Sequence, residues 1–549
     1  MKYFSKTLAL FTTLALVLSL PRTGNAQLTP TPITIGLLQN DPGTFDGYVL
    51  MASVAYPTAY LINTNGEVVH SWASLSGPRH ATYLREDGLL LRTTLGGEEF
   101  GMNGGGAGGG VQLLDWDGTV LWDYVYADTT YRHHHDLKPM PNGNVLIMAW
   151  EKRSAAEAYA AGRDSAFVGT EVWSEHIVEV RPIYPDSGEI VWIWRAWDHL
   201  IQDYDSTKAN YGVVEDHHEL LDLNFAPRGN IPDWLHFNAI AYNEELDQII
   251  YSANFWSEVA VIDHSTTTAE AAGHTGGNSG KGGDILYRWG NPETYRAGDS
   301  TDRILYSTHD VHWITDSIPG QGRIILHNNG TGRLGDTINY SSIEEFTTPV
   351  DTNGDYTLLP DSAFGPLVVD WHYQDIPKEN FYSRIMSGAD RLPNGNTIIC
   401  AATSGHFFEV DSLGNKLWQY INPLNASGPM AQGTVPSPNA ILVFKIRKYA
   451  TDYIGLVGKD LTPQGPIETY CCTGRRGDLN GDSTSANIID LTFIVDFIFR
   501  GSSDPGFCFE ASDVNADGQL GAPNILDLTY LVDFIFRGGP QPIGCQQTP

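Results

Sequence analysis

One two-strand unit recurs along this chain, and its recurrence constrains the fold more than any other feature. A clear copy is YRHHHDLKPMPNGNVLIMAW (131–150), in which a polar start leads into a short strand, a Pro-Asn-Gly-Asn turn and an apolar strand. A turn of this kind between two strand-like runs predicts a β-hairpin. Further copies begin at His80, His236, Ser387 and, in a longer version, His309. Histidine therefore opens most of the copies.

A second hairpin type alternates with the first. It has an acidic or Asn-Gly turn followed by an aromatic strand, with copies at 61–72, 113–124, 179–194 and 409–420, one with a Gly-rich insertion at 261–292 and a weaker one at 346–373. One unit then has four strands, and about six units fit between Tyr48 and Gly458. Such repetition predicts a six-bladed β-propeller. The alternative, a β-sandwich of two packed sheets, would not need so many near-copies of one unit.

The segment 438–449 (PNAILVFKIRKY) reads as a strand without a hairpin of its own. We expect it to return to the unit that begins at Tyr48 and so to close the ring. The long insertions at 151–175 and 200–235 have helical composition and polar turns. Loops of that length on a propeller face usually cover the central channel or bind partners.

Composition and charge narrow the class of protein. The 57 glycines, 30 prolines and 11% aromatic residues favour an all-β chain rich in turns. There are 33 basic and 65 acidic residues, so the formal net charge is −32. This excess of negative charge argues against nucleic acid and against an anionic membrane surface as partners.

The first 26 residues have the pattern of a secretory signal peptide. Two lysines precede an apolar run from Leu8 to Leu20, and small residues stand before Gln27. Elsewhere no apolar run is long enough to span a membrane. We therefore expect an exported protein, periplasmic, secreted or held at the cell surface, whose residues 27–47 form a Pro/Thr-rich lead-in.

Cysteines are concentrated in the last eighty residues. Cys400 lies in an apolar strand and is expected to be a buried thiol. In an oxidising compartment the four others predict two disulfides in a small module. A bond between Cys471 and Cys472 would be strained, so each is expected to reach Cys508 or Cys545.

The C-terminal region carries a second repeat of another kind. Two near-identical helical sequences each follow a loop with oxygen-bearing side chains at alternate positions. This spacing suits a hard cation such as Ca²⁺. The predicted calcium ligands are Asp478, Asn480, Asp482 and Asp490 in the first copy, and Asp513, Asn515, Asp517 and Asp527 in the second. The predicted boundaries are 48–460 for the propeller, 461–475 for a linker and 476–549 for this small α-helical calcium-loop domain.

This module resembles a type I dockerin, whose duplicated calcium loop–helix units bind a cohesin partner. The resemblance implies a cohesin-like protein as partner. The chain departs from the dockerin pattern, since Asp490 is thirteenth in its loop and Asp527 fifteenth, where the twelfth position is usual. A calcium-stapled cap without a partner is the other interpretation. Asp351, Asn353 and Asp355 repeat the spacing inside the propeller, where we predict a tight turn.

The histidines that open the hairpins are the candidate functional residues. In a propeller the first strands of the blades surround the central axis, so His80, His135, His236 and His309 would face one funnel. Several imidazoles with Asn238 can hold either a transition metal or an oxyanion. Sequence does not fix which, because the histidines lie on different blades.

Four segments carry a resemblance to a known family. HHDLKPMPNGN (134–144), DWLHFNAIAYNEELDQIIYSANFWSEVAVID (233–263), RWGNP (288–292) and HDVHWI (309–314) look like the arylsulfotransferases, over roughly residues 48–450. The resemblance implies a six-bladed propeller that moves a sulfuryl group from a phenolic sulfate to a phenol acceptor, without a nucleotide cofactor, by a ping-pong route through a sulfurylated histidine.

By motif, the resemblance implies that His309 is the histidine that becomes sulfurylated. It also implies that His135, His236 and Asn238 contact the sulfuryl oxygens. A neutral imidazole is a competent nucleophile, and nearby donors stabilise the charge on those oxygens. The family has an arginine in its next motif, whereas this chain has Ala253 between Ser252 and Asn254. Arg288 or a protonated histidine is the candidate replacement.

The remaining histidines are given structural interpretations. His80 has apolar neighbours and is expected to pack within its blade. Three further histidines stand next to stronger candidates in the sequence: His133, His134 and His312. Five more are expected to be solvated or structural: His217, His218, His274, His372 and His406. Two other functions stay open: a non-catalytic propeller scaffold or binding protein assembled through the dockerin-like tail, and a quinoprotein or metal-dependent oxidoreductase. The quinoprotein interpretation is weakened because no repeated tryptophan-docking signature is visible.

Overall fold

The repeated hairpins fold into six antiparallel sheets of four or five strands. The structure is a computed structural model that describes residues 33–545, apart from 74–77, 97–99, 316, 361, 470–471, 473–474, 481–485, 501–508 and 518–522. The described chain divides into two compact units, one from Ile33 to Cys471 and one from Cys472 onward. The predicted signal peptide lies outside the described residues.

Strands are numbered along the described chain. The first group is β1 (Gly36–Asn40), β2 (Gly47–Ala52), β3 (Ala59–Ile62), β4 (Val68–Trp72), β5 (Pro78–Leu84), β6 (Leu90–Leu95), β7 (Gly109–Leu114), β8 (Val120–Val125), β9 (Tyr131–Pro139) and β10 (Val145–Ser154). The second is β11 (Glu171–Ile183), β12 (Ser187–Arg195), β13 (Leu200–Ile201), β14 (Leu221–Asp222), β15 (Phe237–Asn243), β16 (Gln248–Ala253), β17 (Glu258–Asp263), β18 (Ile285–Trp289), β19 (Thr308–Trp313) and β20 (Ile324–Asn328). The third is β21 (Ser342–Phe346), β22 (Trp371–Tyr373), β23 (Gly388–Arg391), β24 (Thr397–Ala401), β25 (His406–Val410), β26 (Lys416–Ile421), β27 (Leu424–Asn425), β28 (Gly428–Pro429) and β29 (Arg447–Ala450).

Each of the six large sheets is one blade. In strand order from the axis outward, the blades are β29-β2-β3-β4, β5-β6-β7-β8, β9-β10-β11-β12, β15-β16-β17-β18, β19-β20-β21-β22 and β23-β24-β25-β26-β1, numbered 1 to 6 here. The first strands of neighbouring blades lie against one another, as β5 does with β9, β9 with β15, and β15 with β19. The predicted six-bladed β-propeller is therefore confirmed.

The ring is closed by the C-terminal strand of this unit. β29 pairs antiparallel with β2, with Ala450 opposite Gly47 and Arg447 opposite Leu50. This pairing confirms the expectation that the segment ending near Tyr449 completes the blade that begins at Tyr48. Blade 1 thus takes its innermost strand from one end of the unit and its other strands from the opposite end.

Two segments assigned to connections by sequence belong to the sheets instead. Within the predicted lead-in 27–47, β1 pairs with β26 and becomes the outer edge of blade 6. Within the predicted linker 461–475, the amide of Gln464 donates to the carbonyl of Val68 and the amide of Val68 donates to the carbonyl of Gly465, both at 2.8 Å. β1 has only five residues, and the pairing at 464–466 is shorter still. Neither is long enough to show a periodic hydrophobic pattern in the sequence.

Apolar side chains of the blades alternate between two neighbouring seams. On β2, Val49 and Met51 pack with blade 6 residues such as Phe407, whereas Leu50 and Ala52 pack with blade 2 residues such as Leu90. Successive side chains of a strand point to opposite faces, so each strand supplies both seams. The core of the propeller therefore lies between the blades.

A tryptophan on the fourth strand of each blade bonds the next blade. Each indole N–H donates to a backbone carbonyl just before or between the outer strands of the following blade, at 2.7–3.2 Å: Trp72 to Asp115, Trp122 to Ser187, Trp194 to Gly283, Trp289 to Pro366, Trp371 to Ser412 and Trp418 to Thr64. These bonds join all six seams. A repeated tryptophan contact thus exists although irregular spacing hides it in the sequence.

Helices are few and lie mostly outside the sheets. The α-helices are α1 (Ala155–Ala160), α2 (Thr268–Ala271), α3 (Ile488–Arg500), α4 (Phe509–Ser512) and α5 (Ile525–Arg537). Short 3₁₀ turns occur at Ser165–Phe167, Ala196–Asp198, Val214–Asp216, Pro292–Tyr295, Lys378–Asn380, Ala402–Ser404 and Ile454–Leu456. Over the described ranges, none of the helices has the length and apolar character needed to cross a membrane.

The second unit packs two similar helices together. Ile494 of α3 and Leu531 of α5 are fully buried in one small core, which Cys472 and Cys545 join. These two cysteines form a disulfide bond. Cys471 and Cys508, the other predicted partners, lie outside the described residues. Cys400 is a buried free thiol, as expected.

Candidate active site

The inner strands that carry the candidate histidines are irregular at those histidines. The pairing of β9 with β10 shifts register opposite residues 134–136, that of β15 with β16 at Asn238, and that of β19 with β20 between His309 and His312. His135 and His236 have positive φ angles of 52° and 56°. A bulge re-aims the side chain that it contains. These bulges bring imidazoles of separate blades toward one place near the axis.

The structure brings three of the opening histidines into ring contact. The ring centroids of His135 and His236 are 4.7 Å apart, and those of His80 and His135 are 5.6 Å apart. Burial lowers the pKa of His309 to about 4, the bond to Asn329 opposes this shift, and the charge of His236 adds to it. His80, expected only to pack within its blade, is thus part of the cluster.

Behind His135 lies a buried hydrogen-bonded relay. The Nδ1 atoms of His134 and His135 are 2.8 Å apart, and Nε2 of His134 is 2.8 Å from Oε2 of Glu175. The other oxygen of Glu175 accepts from the amide of Phe237 at 2.9 Å. Burial raises the pKa of Glu175, and burial together with His236 lowers the pKa values of His134 and His135. Burial therefore favours the uncharged form of all three groups.

The neutral relay fixes the tautomers of both imidazoles. A protonated Glu175 donates to Nε2 of His134, so the proton of His134 is on Nδ1 and points at Nδ1 of His135. The proton of His135 must then be on Nε2, which is the ring nitrogen outside the relay. His135 thus presents an N–H donor to a bound anion.

A carboxylate and an aromatic ring orient His236. Its Nδ1 is 2.5 Å from Oδ2 of Asp233, and Phe255 stacks on its ring at 4.3 Å between centroids. The guanidinium of Arg228 lies over Phe255, 4.7 Å from the centroid of its ring. Nε2 of His236 is therefore left for a ligand, with an exposed cation close to the same ring pair.

His309 is held by its neighbours at both ring nitrogens. Nδ1 is 2.6 Å from Oδ1 of Asn329, and Nε2 accepts from the amide of Met386 at 3.1 Å. The amide of Asn238 donates to the carbonyl of Thr308 at 2.9 Å, next to His309, while its oxygen accepts from the hydroxyl of Ser252. Asn238 therefore fixes the backbone of the strand that carries His309.

A glycine-rich loop covers two of the histidines. The amide of His135 donates to the carbonyl of Gly106 at 2.8 Å, and a Cβ on Gly106 would overlap the His135 ring. A Cβ on Gly105 would lie 3.7 Å from the His236 ring. Beside this loop is a cavity of about 380 Å³, bordered by His80 and Arg132 among others, which is large enough for a small aromatic molecule.

Asp136 and Asp310, which follow His135 and His309 in sequence, form ion pairs with basic residues at the closing strand. Lys445, just before the closing strand, is 2.6 Å from Asp136 and 3.1 Å from Asp310, and Arg447 also binds Asp310 at 2.6 Å. Burial opposes ionisation of Asp310, but Arg447 and Lys445 hold its pKa below the usual range. The His-Asp pairs thus combine a candidate functional imidazole with a carboxylate that anchors the ring closure.

The geometry can be compared with known proteins. Residues 46–426, more than two thirds of the chain, match the family model described as Arylsulfotransferase (ASST). The chain belongs to the arylsulfotransferase family. This membership confirms the family expected from the sequence motifs. No curated protein is similar enough to count as a match.

Several solved structures are similar to this arylsulfotransferase family member at low identity. A protein of unknown function from Bacteroides caccae is 12% identical with a TM-score of 0.38, over 73% of this chain and 98% of that chain. A periplasmic gluconolactonase from Pseudomonas aeruginosa is 10% identical with a TM-score of 0.36, over 74% and 99%. Virginiamycin B lyase from Staphylococcus aureus is 8% identical with a TM-score of 0.32, over 72% and 91%. Likeness at this level says nothing about function.

The arginine expected in the arylsulfotransferase motif is not replaced by Arg288. That guanidinium is fully buried and bonds Glu258 at 2.8 Å, Thr294 at 2.9 Å and the carbonyl of Leu220 at 2.9 Å. The sequence-based suggestion for Arg288 is therefore wrong, because all faces of the group are occupied elsewhere. Arg228 lies over Phe255, the ring that stacks on His236.

Sequence reasoning missed the groups that support the histidines. Glu175, Asn329, His134 and Arg228 were not singled out as functional. Glu175 and Asn329 reach their histidines from other parts of the same blade, His134 adjoins a stronger candidate, and Arg228 lies in an insertion. Asp233 had a visible signal, because it precedes His236 by three residues within one motif. The run NGGGAGGG (103–110) was also visible, and its glycines allow the close approach to His135.

The predicted calcium loops are described in part. Asp490 is buried and accepts from the amides of Leu479 and Asn487, both at 2.8 Å. Asp527 accepts from the amide of Asn524 at 3.0 Å, and burial with nearby Asp513 and Asp517 raises its pKa. In each copy the distal aspartate thus meets the loop that precedes its helix. Asp482 lies outside the described residues.

Proposed function

We propose that this protein transfers a sulfuryl group from a phenolic sulfate ester to a phenol acceptor through a sulfurylated His309. The observation that carries the proposal is the 4.7 Å approach of His135 and His236, brought from separate blades, in a propeller of the arylsulfotransferase family. A cluster of imidazoles suits a singly charged sulfate ester, because imidazole N–H groups donate hydrogen bonds to sulfate oxygens.

In this proposal His135 and His236 bind the sulfuryl oxygens. The relay from Glu175 through His134 makes Nε2 of His135 a hydrogen-bond donor beside Gly106. The ring of His236, held through Nδ1 by Asp233, lies 4.7 Å from that of His135. Donors fixed in advance stabilise the charge that spreads over the equatorial oxygens as the group is transferred, and they require no reorganisation during the reaction.

The nucleophile of the proposal is Nε2 of His309. Its pKa of about 4 keeps the ring unprotonated at neutral pH, and the bond from Nδ1 to Asn329 places the lone pair on Nε2. Before attack, the hydrogen bond from the amide of Met386 to Nε2 must break, so that Nε2 can bond to the sulfur atom. Met386 and Ser387 both have positive φ angles, 55° and 87°, so this contact lies in an irregular segment.

The two half-reactions balance as follows in our proposal. In the first, the bond from Nε2 of His309 to sulfur forms while the sulfur–oxygen bond to the aryl group breaks, and the phenolate leaves with a proton from His236. In the second, the oxygen of the acceptor phenol bonds to sulfur, the nitrogen–sulfur bond breaks, and the phenol proton passes to His236. Asp233 stabilises the ring of His236 through the proton transfers.

Arg228 supplies the positive charge that the family obtains from its motif arginine in this proposal. The side chain is exposed beside the Phe255–His236 stack and makes no ion pair with any residue that the structure describes. A cation at this position attracts an anionic ester against the strongly negative field of the whole protein.

The experiment is turnover of a chromogenic aryl sulfate by the mature protein, with and without a phenol acceptor. We expect acceptor-dependent release of the chromogenic phenol, and one SO₃ unit on the peptide that contains His309 in the absence of acceptor. His309→Asn should abolish both signals. His312→Asn, on the same strand but bonded to Asp390, is the matched control and should keep them. Absence of turnover and of adduct would favour a binding scaffold.

For the remainder of the chain we propose export by the predicted signal peptide and calcium binding by the C-terminal repeats. The carboxylates of Asp513 and Asp517 near Asp527 support a cation site, since their mutual repulsion is relieved by a divalent ion. A cohesin-like protein is the proposed partner of this dockerin-like module.

A further inference from the structure

A second set of polar groups, separate from the histidine cluster, converges between blades 3 and 4. His199 follows the 3₁₀ turn Ala196–Asp198 at the end of blade 3, Asp284 stands just before β18 of blade 4, and His274 lies in the glycine-rich loop between α2 and β18. One ligand atom from each of the three residues lies within 4.8 Å of the others. Among the described residues this set alone has such a grouping of histidine and carboxylate ligand atoms.

The geometry of the set is that of a chelating group. Nδ1 of His199 and Nδ1 of His274 are each 2.8 Å from the same oxygen, Oδ1 of Asp284. Nε2 of His199 is 2.9 Å from the carbonyl of Ala271. In a neutral imidazole Nε2 then carries the proton and Nδ1 carries the lone pair. Metal-binding histidines usually donate their second ring nitrogen in this way.

The surroundings hold two of the three groups rigidly. His199 is fully buried and stacks on Trp194 with a 5° angle between the rings. The indole of Trp194 donates to the carbonyl of Gly283 at 2.7 Å, directly before Asp284. The histidine and the carboxylate are therefore positioned by the same tryptophan. His274, by contrast, has 61% of its side chain exposed and can adjust.

We propose that His199, His274 and Asp284 bind a transition-metal dication of the zinc class. Two imidazole nitrogens and one carboxylate oxygen suit zinc, whereas calcium and magnesium prefer oxygen ligands alone. Bonds of about 2.0–2.1 Å in a tetrahedral arrangement place ligand atoms roughly 3.3 Å apart. Each of the two separations between Nδ1 and Oδ1 of Asp284 lengthens by about half an ångström to reach that spacing. The exposed side of His274 leaves a position for water.

The proposed metal pins an insertion to two blades. The loop between β17 and β18 contains the run GHTGGNSGKGG (273–283), in which the amide of Ser279 donates to Asp263 and the amide of Gly283 donates to the carbonyl of Gly273. A metal held by His274 of this loop, Asp284 at its end and His199 of blade 3 adds a further link to these bonds. This role is independent of the sulfuryl transfer proposed above.

The first test is metal binding by the full chain after treatment with a chelator. Titration with Co²⁺, which reports tetrahedral nitrogen and oxygen coordination by visible absorption, and with Zn²⁺ in equilibrium dialysis should show one tight site. His274→Ala and Asp284→Asn should weaken it at least about tenfold. His217→Ala, a partly exposed histidine paired with Glu219, is the matched control and should bind as the unmodified protein does. Unchanged binding by His274→Ala, or no tight site, would overturn the proposal.

A second readout follows the loop itself. Trypsin cleavage after Lys281, measured by mass spectrometry of the products, should slow at least severalfold when Zn²⁺ is added to the unmodified protein. The same addition should have no effect on His274→Ala. Equal protection by Zn²⁺ in both proteins would show that the metal acts elsewhere and would refute the pinning role.

Discussion

Glu175 decides which nitrogen of His135 carries the proton. Replacement by Gln keeps a neutral side chain whose amide donates to His134 while its oxygen accepts from Phe237, so Glu175→Gln should retain most of the activity. Glu175→Leu removes the donor, and we expect kcat to fall by about 10²-fold or more. The readout that separates this role from packing is the pH–rate profile. Any loss of activity at high pH that comes from ionisation of Glu175 should be absent in Glu175→Gln.

Arg228 is expected to act on binding rather than on the chemical step. A charge-assisted hydrogen bond contributes about 1.5–3 kcal/mol, so Arg228→Ala should raise KM for an aryl sulfate by about tenfold or more. Arg228→Lys keeps the charge and should lose less. Because the side chain is exposed, the difference between Arg and Ala should shrink at high salt. A fall in kcat at constant KM would contradict this assignment.

At this scale the sequence located the histidines but not their supports. His135, His236 and His309 were found because they repeat at the same place in a hairpin. Glu175 and Asn329 were not, since each meets its histidine only after folding, Glu175 from the third strand of the blade and Asn329 from the end of the second. Arg228 sits in an insertion without periodicity, and only coordinates bring it over Phe255.

At the scale of the elements, His264 joins blade 3 to blade 4. It is 3.1 Å from Glu179 of β11 and 2.7 Å from Asp247 in the turn between β15 and β16. Burial lowers the pKa of His264, but the bonds to Asp247 and Glu179 outweigh it and raise the pKa to about 9. The folded protein therefore holds this proton more tightly than the unfolded chain, whose histidine has a pKa of about 6.5.

This linkage predicts a pH dependence of stability. Protonation of His264 contributes about 3 kcal/mol to the free energy of unfolding. This contribution is fully present below about pH 6.5 and is lost as the pH rises through about 9. The free energy of unfolding of the unmodified protein should exceed that of His264→Gln by this amount near pH 6. Near pH 10 the two should converge. A difference that is the same at both pH values would rule out the protonated histidine as its source.

The hairpins themselves were predictable because turn residues and strand periodicity are local signals. The bulges at His135, Asn238 and His309 were not, since a bulge is a mismatch between two strands and appears only in their pairing. The tryptophan bonds between blades were equally hidden. Each pairs an indole with a carbonyl in a neighbouring unit of different length.

At the scale of the whole molecule, the C-terminal module predicts a response to calcium. Calorimetric titration of the full chain after removal of calcium should show two sites. Asp517→Asn should weaken one of them at least about tenfold, because it removes a charged ligand. Asp533→Asn is the matched control, since Asp533 lies on α5 in an exposed pair with Arg537. At calcium a hundredfold above Kd each site should stabilise the module by about 2.7 kcal/mol.

The alternation of hairpin types was enough to predict six blades and the return of the last strand. The attachment of β1 to blade 6 was not predicted. A five-residue edge strand shows no repeat, and its partner β26 lies nearly four hundred residues away in sequence. The packing of 464–466 on β4 was hidden for the same reason.

The closure of blade 1 has a consequence for synthesis. Its inner strand, β29, ends at Ala450, whereas its remaining strands are complete by Trp72. While the ribosome is still adding the residues in between, those early strands have an unpaired edge beside β2. A growing chain therefore carries an incomplete first blade through most of its translation, and a chaperone that shields strand edges would act in that interval.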